Sequence, residues 1–171
     1  MDAAAAPSAT PTSGIRDFDF FQGPWKVHHR RIKDRLVGST DWEAFEGTCV
    51  TWPTLDGAGN VDDNLLELPS GTYRAMSIRA FDPATNRWAI WWLDGRFPHA
   101  PLDPPVVGGF GEDGVGRFLA DTTHDGIPIV MRFLWTGVSS GAPRWEQAFS
   151  TDGGSTWEVN WVMAFERVDR A

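Results

Sequence analysis

From Trp25 onward the chain alternates: Trp25, Val27, His29 and Arg31 fall on one side of an extended segment, and Lys26, His28 and Arg30 fall on the other. The same period of two recurs to the C-terminal end in short runs rich in β-branched and aromatic residues. It predicts strands near 25–33, 41–52, 59–68, 72–81, 87–93, 106–110, 114–122, 128–135, 144–150 and 156–168. Between them lie turn formers such as Asp56-Gly57, Asn86, Asp125-Gly126 and Asp152-Gly153-Gly154. The segment 94–105, with Pro98, Pro101, Pro104 and Pro105, is the one long irregular loop. No stretch has a helical period of normal length. The aromatic run Asp17–Gln22 predicts a short helix that must stop before Pro24, whose fixed φ and missing N–H end helical bonding. About ten strands in meander order predict closure, because an open sheet of that width would leave two unpaired edges. The expected fold is therefore all-β, a single antiparallel up-and-down barrel with a short N-terminal helical plug. Residues 17–171 form the barrel domain, and residues 1–16, rich in Ala, Pro, Ser and Thr, form a flexible tail with no face to bury.

Composition sharpens this picture. Ten Trp and eleven Phe against one Tyr in 171 residues is a heavy aromatic load, which must lie inside the barrel or at an interface. A homodimer is expected from that excess. With 15 Lys+Arg against 23 Asp+Glu, the net charge of −8 repels phosphate backbones and anionic headgroups, so neither nucleic acid nor membrane is an expected partner. No apolar run approaches the roughly 20 residues that a membrane-spanning helix needs. Cys49 stands alone, which forbids an intrachain disulfide, and the first residues lack a basic segment followed by an apolar one; a cytoplasmic location is the expectation.

Two short motifs carry structural meaning. Gly23-Pro24-Trp25 opens the first strand behind the aromatic plug and is similar to the Gly-x-Trp of lipocalins and other calycins, where the Trp closes the barrel floor. Arg167, at the end of the last strand, stands where the usual stacking partner of that Trp is found in those proteins. Ser150-Thr151-Asp152-Gly153-Gly154-Ser155-Thr156-Trp157 resembles the Asp-box hairpin of sialidase propellers. It is a folding device in which the Asp caps turn N–H groups, and a single copy on so short a chain rules against a propeller. Longer segments resemble a bacterial family of uncharacterised lipocalin-like domains: Thr40–Cys49, Phe81–Thr85 with Trp88, and Arg144–Ser150 through Asn160-Trp161. The resemblance covers roughly residues 17 to 168. It implies a calycin-like barrel and carries no catalytic residue with it.

Chemistry must then come from polar residues that alternation places inside. His29 shares the face of Trp25 and is the one histidine that qualifies as a site candidate. His28 falls on the opposite face, and His99 and His124 sit in or beside loops. None has metal-ligand spacing, so no metal is expected. Haem is disfavoured because no His follows His124, and no other cofactor is implied. Cys49 reads as a buried, inert thiol. The glycines from Gly108 to Gly116 lack the Lys and the following helix of a phosphate loop.

Charged residues inside apolar strands say more. Arg79 shares a face with Tyr73, Ser77 and Phe81, Arg132 with Val130 and Leu134, and Glu146 with Arg144 and Ala148, while Asn160 lies between Val159 and Trp161. The mixed face of each strand is either the solvent side or the lining of a polar cavity. In the second case Arg79, Arg132, Glu146 and Asn160 orient a small hydrophobic or aromatic ligand between walls from Trp42, Trp92 and Trp161. Any buried guanidinium there needs a carboxylate such as Glu43, Glu46 or Glu146. Three readings stand open: a carrier or sensor of a small, partly apolar ligand, a small barrel enzyme of the isomerase or cyclase type, and a structural or oligomeric scaffold with a filled barrel. The enzyme would act on an aromatic or polyketide-like substrate with His29 or Glu146 as acid or base.

Overall fold

A computed structural model describes residues 13–168. Ten strands follow in order: β1 (Gly23–Ile32), β2 (Trp42–Thr54), β3 (Gly59–Leu68), β4 (Gly71–Asp82), β5 (Arg87–Asp94), β6 (Val106–Phe110), β7 (Gly116–His124), β8 (Ile127–Thr136), β9 (Arg144–Ser150) and β10 (Glu158–Arg167). Each pairs antiparallel with its neighbour in sequence, and β1 closes on β10 from Trp25↔Arg167 to Arg31↔Trp161, giving the closed up-and-down barrel that the alternation predicts. A two-residue hairpin joins β7 to β8 through Asp125 (φ 49°) and Gly126 (φ 79°). Two successive positive φ values match the right-handed twist of the flanking strands. Where β6 crosses β7, a Cβ on Gly108 would lie 1.8 Å from the Arg117 carbonyl oxygen, so only glycine fits.

Among the described residues helical structure is limited to three single 3₁₀ turns, at Asp19–Phe21, Leu55–Gly57 and Val138–Ser140. The expected plug is thus shorter than a helix. Gln22 already has extended backbone (φ −64°, ψ 142°), leaving no room for a second turn before Pro24. It closes the floor all the same. Phe18 stands edge-on to Trp88 at 5.0 Å and to Phe110 at 5.4 Å, and Phe21 packs on Trp135 at 4.9 Å and Phe165 at 5.0 Å between ring centroids. Trp25 Nε1 donates to Phe21 O at 2.8 Å. Arg167 lies over the Trp25 ring, 3.8 Å from its centroid, and donates to the carbonyls of Phe20 and Gln22, which ties the last strand to the plug. Of the expected tail, residues 1–12 lie outside the described residues; Ser13 is buried, and Gly14 O accepts from Trp88 Nε1 at 3.1 Å.

Which face of each strand points inward follows from register, because residues directly opposite in an antiparallel pair share a face. With Trp25 inside, its partner Cys49 is inside, then Asn64, then Ala75, then Asp94. On β3 and β4 this puts the mixed face in the barrel (Asn60, Asp62, Asn64, Ser77, Arg79) and the apolar face outside (Val61, Met76, Ile78). On β8 and β9 it does the reverse: Phe133, Trp135, Trp145 and Gln147 point in, and Arg132 and Glu146 point out. Among the described residues no helix is long and apolar enough to cross a membrane.

Candidate ligand site at the open mouth of the barrel

The lower barrel is filled. Arg79 donates through Nη1 to Asn60 Oδ1 at 2.8 Å and through Nη2 to Asp62 Oδ2 at 2.7 Å. Asp62 Oδ1 also accepts from Ser77 N at 2.8 Å and from Asn64 Nδ2 at 2.5 Å. The Arg79 guanidinium lies 5.3 Å from the Phe18 ring centroid and 5.1 Å from that of Phe21, and so seals the floor from within. Between this network and Trp92, Trp135 and Met163 only about 30 Å³ remains open, room for about one water molecule.

The space is at the other end. A pocket of about 190 Å³ opens between the upper ends of β4, β5, β7, β8, β9 and β10, with Trp92, Phe149, Trp161 and Met131 as apolar walls and Arg31, Arg35, Tyr73, Arg96 and Gln147 as polar ones. It continues outward into a more polar groove of about 440 Å³ past Lys33, Asp34, His124 and Asp125. Trp161 is the hinge between walls, edge-on to Trp92 at 5.7 Å and to Trp145 at 5.6 Å.

Three arginines edge this mouth, and their states differ. Arg31 donates to Glu43 Oε1 at 3.0 Å and to the Tyr73 hydroxyl at 3.4 Å. Arg96 forks onto Asp94 (Nη2–Oδ2 2.6 Å, Nε–Oδ1 3.0 Å) and lies 3.8 Å from the Tyr73 ring centroid. The bonded Asp94 carboxylate raises its pKa. Arg35, in the β1–β2 loop, has no bonded carboxylate and no hydrogen-bond partner among the described residues. Its Nε is buried and makes no hydrogen bond, and its guanidinium sits 5.6 Å from the Phe149 ring centroid. Burial, then the nearby positive charge of Arg31, hold its pKa down to about 10. The carboxylate of Glu158 is engaged elsewhere, since both its oxygens accept from Leu36 N at 2.9 and 3.0 Å and hold Leu36 at φ 62°.

Of the residues expected to line a cavity, Trp92 and Trp161 meet at this mouth. Arg79 is inside, with its fork filled by Asn60 and Asp62 rather than by Glu43, Glu46 or Glu146. Asn160 is wholly buried at a bulge between Val159 and Trp161, where it accepts from Gln147 Nε2 at 2.8 Å. Trp42, Arg132 and Glu146 stand on the outer wall instead, because strand register turns their faces away from the lumen. Arg30 covers Trp42 at 5.3 Å, and Arg132 lies over Trp157 at 4.3 Å and 3.9 Å from Glu146. His29 does point inward. Its ring stacks on Phe45 at 4.5 Å and 10°, and its Nδ1 faces Trp161 Nε1 at 3.2 Å, accepting that N–H. Burial and then Arg31 lower its pKa to about 3, so it is neutral at physiological pH. His29 and Glu146 thus lie on opposite sides of the wall. Cys49 is fully buried, and burial pushes its thiol pKa up.

Arg35, Tyr73, Arg96, Gln147 and Phe149 are the mouth residues that alternation did not single out. Tyr73 was legible as a neighbour of Arg79 on one face. Arg35 sits in a loop, where period two carries no information. The arrangement offers flat apolar walls beneath a rim of guanidinium donors, suited to an organic molecule with one polar end. No protein-family model matches the chain, and no curated protein matches it.

Proposed function

We propose that this chain is a calycin-like binding protein, a carrier or sensor, that takes a small, partly apolar organic ligand into the barrel mouth. The observation that carries the reading is the contrast between the two ends: aromatic side chains fill the floor and lower lumen, while at the mouth Trp92, Phe149 and Trp161 line about 190 Å³ of open space. Support for the calycin reading comes from Trp25 and Arg167, which close the floor as the Gly-x-Trp motif and its late-strand arginine do in that group. A lone buried thiol fits a cytoplasmic protein. Acid–base chemistry shared by His29 and Glu146 finds no support, since the barrel wall separates them.

The reading is tested by intrinsic fluorescence, because Trp92 and Trp161 face the pocket. Saturable quenching by members of a panel of aromatic acids, fatty acids and flavonoid-like molecules is expected, and it should be lost when Thr122→Phe narrows the mouth of a still-folded barrel. Absence of any saturable response across the panel sets the reading aside.

The expected dimer has a candidate surface. Trp52, Val61, Ile78 and Trp91 lie side by side in register on the outer wall of β2 to β5, and Val107 and Leu119 extend the apolar face to β7. Six strands at ~4.8 Å spacing give a face about 24 Å wide. That width suits the apolar centre of a standard interface of ~800 Å² per partner. A second copy of this chain is the proposed occupant, since the face carries no charge in its central row to select another partner.

A further inference from the structure

The ionic pairing around the mouth leaves one cation over. Arg31 is matched by Glu43, Arg96 by Asp94, and Lys33 by Asp41 at 2.9 Å, each within hydrogen-bond distance. Arg35 is matched by nothing among the described residues, although its Nε is buried and its guanidinium lies against the face of Phe149. Arg35 is half-buried: its Nε is shut off from water and unbonded, while the rest of its fork, with no carboxylate bonded to it, faces the open mouth. Its donors border the pocket wall formed by Phe149 and Trp161, next to open space. The Glu158 carboxylate is bonded to Leu36 N and not to Arg35, so it acts on the guanidinium only through space, as Asp125 does.

We propose that the ligand of this mouth is an aromatic monoanion, a flat ring system bearing a carboxylate or similar group, and that Arg35 receives the anionic end. This rests on the mouth being a binding site and adds the charge, the body and the anchor. Geometry sets each of them. A planar guanidinium presents parallel N–H donors that match the two oxygens of a carboxylate. Phe149 and Trp161 supply apolar surfaces for a ring directly attached to that group. A single charge fits better than a phosphate dianion, because one cation is free while Asp34, Asp103 and Asp125 also edge the mouth and its outer groove. Those acids repel a second negative charge.

A guanidinium without a bonded carboxylate is expected to cost stability in the empty protein, which a bound anion would recover. The downward shift of the Arg35 pKa agrees with this, since it records that the empty fold disfavours the charged form.

The test uses two nearly isosteric probes, 1-naphthoate and neutral 1-naphthamide, titrated calorimetrically into the full chain. Wild type is expected to bind naphthoate roughly tenfold or more tightly than naphthamide, the ratio that one charge-assisted hydrogen-bonded pair supplies. Arg35→Gln should collapse that ratio to about one. Arg117→Gln, on the outer wall and paired with Asp113, should keep it and so control for net charge. Without ligand, Arg35→Gln should also melt at a higher temperature than wild type. Equal binding of both probes by wild type overturns the anionic assignment and leaves the mouth as a binding site for neutral molecules. A preference for naphthoate that survives in Arg35→Gln overturns the choice of anchor. If neither probe binds, the mouth reading and this inference fall together for a ligand of that size, and a lower melting temperature for Arg35→Gln then makes Arg35 a structural residue.

Discussion

Arg79 and Asp62 meet inside the barrel at 2.7 Å, both almost wholly buried, with Asn60 and Asn64 completing the set of bonds around them. The pair occupies lumen that a roomier barrel would leave to a ligand, and it fixes β3 to β4 from the inside. The larger open space of this barrel consequently lies at the other end, beside Arg35.

Removing one member of that pair strands the other. Asp62→Ala or Arg79→Ala should each destabilise the fold by about 3–5 kcal/mol, the range for breaking a buried ion pair. The double variant Asp62→Leu/Arg79→Met should lose much less than the sum, because no lone charge remains. Urea denaturation of the three proteins measures this, and additive losses would show that the two residues act independently.

At the floor, Trp25→Ala removes a buried ring together with its bond to Phe21 O and should cost about 3–5 kcal/mol. Arg167→Ala should be milder, about 1 kcal/mol for the exposed stacking interaction, with a further loss from freeing the plug. Thermal melts rank the two, and a Trp25→Ala protein as stable as wild type would contradict the assignment of Trp25 to the barrel floor.

His29 sets a pH dependence. Its folded pKa of about 3 lies below the ordinary 6.5, so between those values the unfolded chain binds a proton that the folded ring refuses. Its contribution is whole above pH 6.5 and is lost as the pH falls toward 3, at up to about 1.4 kcal/mol per pH unit. Between pH 6.5 and 4.5 wild type should lose stability more steeply than His29→Gln, which keeps an acceptor for Trp161 and does not titrate. That window lies above the titration of Asp113 and Asp152, whose carboxyls local hydrogen bonds hold at about 2. Parallel slopes in the two proteins would mean that His29 is accessible to protons in the folded state.

Self-association through the outer wall should appear in light scattering as a dimeric mass at micromolar concentration. Trp91→Lys places a charge in the centre of the row formed with Ile78 and Val61, and should convert the protein to a monomer without lowering its melting temperature by more than a few degrees. A monomeric wild type at that concentration removes the proposed interface.

The sequence by itself determined the strands and the closure of this protein. Alternation and turn chemistry are local, and each observed strand begins and ends within two residues of its predicted span. The floor was equally legible, because Gly23-Pro24-Trp25, the Phe cluster and Arg167 each act through a neighbouring element whose place the meander dictates. Alternation also gave two faces for every strand, but not which one points inward. On β3 and β4 the polar face went in, and on β8 and β9 it went out, against any rule that places polar residues in water. Only register decided that, because the ring of antiparallel pairs transmits the inward position of Trp25 from strand to strand and leaves no strand free to turn over. The mouth needed tertiary structure most of all. Arg35 comes from a loop, Arg31, Tyr73, Arg96 and Phe149 come from four separate parts of the chain, and Arg35, the anchor proposed above, is picked out by the partner it lacks. A missing partner is a fact about the assembled neighbourhood, fixed when Glu43, Asp94 and Glu158 take their positions, and no linear pattern encodes it.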